Sequence, residues 1–183
     1  LQKQMHLSWA IAIKYCTKFI KHIKSSHTVE LKFENRLCVY IGNSLGIALT
    51  LSFIEAILKH YNSPTIIKIN GAIAVTGGID GNSNILSTSK VIIEAKVVTV
   101  FFSDAHIFCV PKVDELWAEE KLSELKKEFP NRDLRIVGLT DLEDLLNRRN
   151  IVDVHKKNYI ERLFSYTIKK WKNPIMFFLL KSY

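Results

Sequence analysis

Ser44 sits between two glycines, in Gly42-Asn43-Ser44-Leu45-Gly46, where a strand-like apolar stretch passes into an apolar helical pattern. A tight turn there needs glycine for its backbone freedom. It does not need a serine aimed along the axis of the next helix. Two chemistries fit the position. As an N-cap, the hydroxyl would accept a hydrogen bond from an amide two or three residues on. As a nucleophile, it would attack a carbonyl carbon once a neighbouring base had removed its proton. Free N–H groups at a helix start suit the oxyanion that such an attack creates, and Gly42 and Gly46 would let a substrate backbone approach closely. On these five residues alone both readings stay open.

The other reactive side chains narrow the field. His6, His22, His27, His60, His106 and His155 show no metal-ligand spacing, so they are expected on the surface, and neither a metal nor a cofactor is expected. Asp80 and Asp104 read as turn residues. Cys16, Cys38 and Cys109 are odd in number and far apart, with no CxxC pair, as in reduced core thiols of an intracellular, cytoplasmic protein. A P-loop pattern is absent, which excludes the common kind of nucleotide motor. The 183 residues carry 26 Lys and Arg against 18 Asp and Glu, a formal charge of +8. That excess suits nucleic acid, an acidic partner or an anionic surface. No apolar run reaches the length of a bilayer span, and no signal peptide is visible. The chain opens on Leu1 rather than Met, as expected of a fragment or a processed product.

The elements that must position Ser44 follow from hydrophobic periodicity. Met5, Trp9, Ile13, Cys16, Ile20 and Ile23 step by four and three, predicting one apolar stripe of an amphipathic helix. Val29, Leu31 and Phe33, then Leu37, Val39 and Ile41, alternate as in half-buried strands. Residues 44 to about 61 are apolar nearly all round, predicting a buried helix stopped by Asn62-Ser63-Pro64. Strand patterns at 66–69 and 72–75 lead into a turn-rich segment, 77–84, and a returning strand at Ile85-Leu86, so a hairpin over 71–87 is expected. A helix follows between 89 and 102, then a buried strand at 106–111, a charged amphipathic helix at 113–129 and a strand in "DLRIVG". Thr140-Asp141-Leu142-Glu143 reads as a capping box opening a helix to about Arg149. Strands and helices alternate, so the class is mixed α/β or α+β. Residues 151–183 carry seven basic residues against two acidic ones, a net +5, interleaved with Tyr159, Phe164, Tyr166, Trp171, Phe177 and Phe178. They are expected to form a basic helical extension of a domain spanning 1–150. The apolar run at 174–180 is expected to dock on its own core or on a neighbouring subunit.

This order of elements resembles the proteolytic domain of the Lon family, serine peptidases with a Ser-Lys dyad. Gly42-Asn43-Ser44-Leu45-Gly46 is similar to the family's Gly-x-Ser-x-Gly motif, which opens a buried helix. Thr76-Gly77-Gly78 and Ile85-Leu86 resemble its Thr-Gly-Glu and Val-Leu pair at the same relative spacing. Val110-Pro111 resembles its Ile-Pro strand end, and "DLRIVGLTDLEDLL" its last strand and helix. The departures are Gly78 in place of the acidic residue, and Ser87-Thr88-Ser89 where Gly-Gly precedes the catalytic lysine. The strands that precede the first helix and the fused ATPase ring are also missing. The resemblance implies a Lon-like fold and hydrolysis of peptide bonds in a polypeptide substrate. It also implies a homo-oligomeric ring, and an ATPase supplied by a partner chain or an upstream region unless cleavage is ATP-independent.

The resemblance further implies Ser44 as nucleophile, a lysine as base and Thr76 as the hydrogen-bonding support of that lysine. Counting back from Pro111 lands on Lys96, which is favoured; Lys90, nearer the helix start, is the alternative. Either must be neutral to act as a base, and Ile92, Ile93, Val97 and Val98 are expected to lower its pKa by burial. Either could equally be a surface lysine whose stem packs on the core. The competing function is a catalytically silent Lon-like module that binds DNA or a protein partner through its basic surface.

Overall fold

Helix α1, Gln2–Cys16, packs against helix α2, Gly46–His60, more extensively than any other pair of described elements touch. The computed structural model describes residues 1–24, 26–33, 43–69, 71–158, 161, 179 and 180. The expected strand over Leu37, Val39 and Ile41, together with Cys38 and Gly42, lies outside them. In chain order the elements are α1, β1 (Lys32–Phe33), α2, β2 (Thr65–Ile69), β3 (Ile73–Val75), β4 (Gly78–Ile79), β5 (Ile85–Leu86) and α3 (Lys90–Phe101). Then come β6 (Ile107–Pro111), a 3-10 turn (Lys112–Asp114), α4 (Glu115–Glu128), β7 (Arg135–Leu139), α5 (Leu142–Asn147), β8 (Val152–Lys156) and β9 (Leu179–Leu180). The class is mixed α and β, as the alternation of periods predicts.

The central sheet is parallel, in the order β3-β6-β7, with Val75 opposite Cys109 and Cys109 opposite Val137. Its middle strand explains the continuous apolar run "IFCVP". Successive side chains on a strand point to opposite faces. Cys109 joins the core of α1 and α2 with Ile11, Ile47 and Leu49, while Phe108 and Val110 join the core of α3 and α4 with Ile93, Val97 and Phe101. A strand covered on both faces has no use for polar alternation. The second pair, β2 and β8, is antiparallel over five residues each, and β4 with β5 forms a short hairpin.

Several expectations change. The buried face of α1 is Gln4, Ser8, Ile11, Ala12 and Cys16, and the helix stops at Cys16; Met5, Trp9 and Ile13 are only partly buried. Two polar side chains turn inward because they have acceptors there: Gln4 Nε2 donates to Ile79 O (3.1 Å) and Ser8 Oγ to Gly46 O (3.0 Å). The hairpin over 71–87 is reduced to β4 and β5, because the chain turns at Gly77 (φ 138°) and β3 pairs with β6 instead. That φ lies where glycine is favoured. The capping box is shifted by one residue: Asp141 caps α5 by accepting from Asp144 N (2.8 Å). Residues 152–156, expected to begin a helical extension, form β8, since Val152 and Val154 alternate along the edge of β2. Of the run 174–180, the described Leu179 and Leu180 pair in parallel with Lys32 and Phe33 of the same chain. His27 is half-buried rather than on the surface, its Nε2 2.7 Å from Tyr61 Oη and its ring edge-on to Trp9 and His60.

Gly46 is the tightest of these packing points. A Cβ there would stand 2.7 Å from the Ile79 backbone nitrogen and 2.7 Å from Gln4 Nε2. Alanine suits a helix better than glycine by up to about 1 kcal/mol, but the clash with backbone outweighs that gain. Gly46→Ala is therefore expected to lower stability by about 1–3 kcal/mol, the usual cost of overpacking. Urea unfolding measures it, and a variant as stable as the parent would show that Gln4 and the hairpin can yield.

Candidate active site

Thr76 follows the last residue of β3, and its own N–H donates to Cys109 O on β6 (3.0 Å). That bond holds a threonine, 3% exposed, at the C-terminal end of the sheet. Across from it, α3 turns Ile93, Val97 and Phe101 into the core. Lys96, next to Val97, lies half-buried at the rim of that face, and its Nζ donates to Thr76 Oγ1 at 2.5 Å. Burial lowers the Lys96 pKa from the ordinary 10.5, because an ammonium loses hydration that a neutral amine does not need. Of the four apolar residues expected around it, Ile93 and Val97 are buried, Val98 is partly buried and Ile92 is 47% exposed.

Lys90 lies elsewhere. It opens α3 on the exposed side, 3.7 Å from Glu94 and 3.6 Å from Glu120. The structure thus brings together Lys96 and Thr76 and leaves Lys90 in a surface ion-pair cluster.

Ser44 precedes the N-cap of α2, which is Leu45, and α2 has no side-chain cap hydrogen bond. The hydroxyl is not used as the expected cap. Its position is set by its backbone: Gly77 N donates to Ser44 O (3.0 Å), and Ile47 N donates to Gly77 O (3.2 Å). One residue, Gly77, therefore ties the start of α2 to the residue after Thr76. Among the described residues the Ser44 hydroxyl forms no hydrogen bond, and the Lys96 amine is directed to Thr76. The amides of Gly46 and Ile47 are already donated, to Asn43 O and Gly77 O. Of the free donors expected at this helix start, that leaves the Leu45 and Ala48 amides, with the Ser44 amide just before them, as candidates.

The glycines have structural reasons. Gly46 is occupied by the approach of Gln4 and Ile79 rather than kept open for substrate. Gly78, where an acidic residue was anticipated, is buried in β4, and a Cβ there would meet Asn43 Cβ at 3.1 Å. Gln4 and Ser8 were missed by periodicity, although two hydrogen-bonding residues four apart on an apolar helix were the available signal. Both Cys16 and Cys109 are buried with thiol pKa values pushed up to about 12 by desolvation. Neither offers a thiolate to compete with Ser44. An open groove of about 690 Å³ runs between α1 and α5, past Lys14, Lys18, Asn84 and Glu143. It is lined by none of Ser44, Thr76 or Lys96.

No protein-family model matches the chain, and no curated protein matches it. No helix of the described residues is long and apolar enough to cross a membrane. What the site can do must follow from its side chains.

Lys96 binds its proton less readily in the folded chain than in the unfolded one. Unfolding therefore takes up a proton between the depressed folded value and 10.5, so this residue makes stability rise with pH across that window and level off above it. Compared with Lys96→Met, the parent is expected to gain stability as pH increases from neutral towards 10.5. Parallel urea unfolding of the two proteins at several pH values checks this. A stability difference that does not move with pH would mean that Lys96 titrates as an exposed lysine.

Proposed function

We propose that this chain is a Lon-like serine endopeptidase, in which Ser44 is the nucleophile, Lys96 the base and Thr76 the support of the base. The observation that carries it is the 2.5 Å hydrogen bond from a half-buried, desolvated Lys96 amine to Thr76, one residue from the Gly77 amide bonded to Ser44 O. A neutral amine has two N–H bonds and one lone pair. Donating one N–H to Thr76 restricts the rotation of the amine and so the direction of the lone pair.

In this mechanism Lys96 Nζ takes the proton of Ser44 Oγ as Oγ bonds to the substrate carbonyl carbon. The carbonyl π pair moves to oxygen, where the Ser44, Leu45 and Ala48 amides are the donors without an acceptor among the described residues. On collapse the C–N bond breaks, and Lys96 returns the proton to the leaving amine. Water then attacks the acyl-serine with Lys96 again as base, releasing the acid and regenerating Ser44. Lysine need only be neutral, so activity rises with pH through the Lys96 titration. Lon-like domains assemble as rings, and the resemblance extends the proposal to a homo-oligomer acting on polypeptide, alone or with a partner ATPase.

One observation favours the rival, a silent Lon-like module that binds DNA or protein. No Ser44–Lys96 hydrogen bond forms among the described residues, while the dyad needs one at the moment of attack. Catalytic hydrogen bonds tighten in substrate complexes, so a long apo contact does not exclude the dyad. The basic segment that would serve the rival, from residue 159 onward, lies almost wholly outside the described residues.

Casein or peptide cleavage separates the two. Ser44→Ala and Lys96→Met should each reduce turnover by about 10³-fold or more, as loss of a nucleophile or its base does. Lys90→Ala should retain it. Absent cleavage by the parent, with DNA binding that weakens steeply as salt rises, would replace the peptidase with the binding module.

A further inference from the structure

Asp114 is fully buried, and it stands at the N-cap of α4. Aspartate there ordinarily accepts from its own helix's amides, yet α4 has no side-chain cap hydrogen bond. The carboxylate reaches instead to a different part of the chain. Asp114 Oδ1 accepts from Ser87 Oγ (2.5 Å), and Oδ2 accepts from Thr88 N (2.9 Å) and Thr88 Oγ1 (3.4 Å). Ser87-Thr88-Ser89 is the strap between β5 and the first residue of α3. Ser89, the N-cap of α3, likewise makes no side-chain cap bond, so Asp114 supplies the polar anchor at that end of the helix.

Asp114 lies three residues beyond Pro111, the last residue of β6. The same strand end holds Thr76, through Cys109 O, and packs on the site: a Cβ on Gly77 would stand 3.4 Å from Pro111 Cγ. Both partners of the Lys96–Thr76 hydrogen bond are thus referred to one piece of backbone, Thr76 directly and Lys96 through Asp114 and α3. Lys96 is six residues into α3, about 9 Å along its axis at 1.5 Å per residue. A shift of the helix start is carried along a rigid rod to the amine. The other end is held by Arg132, which donates through Nε to Phe101 O (2.7 Å) and through Nη2 to Ser103 O and Ala105 O.

We propose that Asp114 is a positioning residue for Lys96: its carboxylate, by clamping Ser87 and Thr88, sets the start of α3 so that the Lys96 amine meets Thr76 out of water. The proposal rests on the reading of Lys96 as the base, but it concerns where the amine is held and can be measured without cleavage. It also gives a reason for the strap's composition. Where the Lon-like pattern has Gly-Gly, this chain has hydroxyl residues, and two of them donate to Asp114.

Competitive acetylation of the folded protein across pH, with mass-spectrometric readout of each lysine, reports the titration midpoint of Lys96, with the urea-unfolded protein as reference. Asp114→Ala removes the whole clamp. Ser87→Ala, at an exposed position, removes the hydroxyl that contacts Asp114 Oδ1 and Thr88 O, and leaves the Thr88 bonds to Asp114 in place. Each variant is first shown to be folded by a cooperative thermal transition. In the parent, Lys96 should label with a lower midpoint in the folded than in the unfolded protein. In Asp114→Ala the Lys96 midpoint should rise by about one unit, which reduces its neutral fraction near pH 7 about tenfold, and in Ser87→Ala by less. Should Asp114→Ala fail to fold, a rise in Ser87→Ala supports the proposal. A Lys96 midpoint unchanged in the folded variants overturns it, whatever happens to their melting temperatures. A parent that shows the expected shifts but cleaves nothing would remove the peptidase and leave the positioning role standing.

Discussion

The Gly77 peptide is the constraint on which the site depends. Its N–H donates to Ser44 O and its C=O accepts from Ile47 N, so a single residue joins the end of the β3 segment to the start of α2. The backbone there has φ 138°, a conformation that L side chains rarely adopt, and the space is closed as well, since a Cβ would come within 2.9 Å of Ile47 Cδ1. Glycine is required on both counts. The turn has two effects. It diverts the chain out of the central sheet, so β4 leaves to form its own hairpin, and it brings Ser44 beside Thr76.

Around that joint the two helical layers have different tasks. The α1–α2 layer secures the serine, with Gln4 and Ser8 of α1 hydrogen-bonded to the hairpin and to Gly46, and Thr50 Oγ1 also donating to Gly46 O. The α3–α4 layer secures the lysine, through Ile93, Val97 and Phe101 in its core and through polar anchors at both ends of α3. The central strand β6 serves both layers, because alternate residues face opposite sides. A site divided between layers in this way is no more exact than the packing of each layer on the sheet, and protein interiors are dense enough to transmit small shifts.

Much of this was legible in the sequence where local physics decides. The buried β6 and the extent of α3 followed from period and composition, and the mixed class from their alternation. The lysine was not legible from periodicity: Lys90 and Lys96 look alike on a helix, and only a spacing borrowed from a family resemblance favoured the second. What the sequence hid was tertiary. Gln4 and Ser8 break the apolar stripe of α1, and only the acceptors on Ile79 and Gly46 make that inward face favourable. The pairing of β3 with β6 depends on the conformation of one glycine. The partners of the Asp114 carboxylate, Ser87 and Thr88, lie 27 and 26 residues away and have no local signal. In β8, the high charge of the surrounding segment masked a short β-branched alternation.

The two lysines of α3 stand in opposite surroundings. Lys90, half exposed and flanked by Glu94 and Glu120, lies in water, where ion pairs contribute little to stability. Lys96 is placed where its charged form is disfavoured: partly desolvated, beside a neutral hydroxyl, with no ion pair to a carboxylate among the described residues. A carboxylate at that point would favour the protonated amine and oppose the downward shift. Among the described residues its hydrogen-bond partner is a threonine hydroxyl, which can orient an amine without charging it. The buried carboxylate of Asp114 faces the strap, its oxygens occupied by Ser87 and Thr88. Disfavouring the charged form of a lysine in this way costs folding stability below its ordinary titration range, and such a cost is common at sites where function and stability compete.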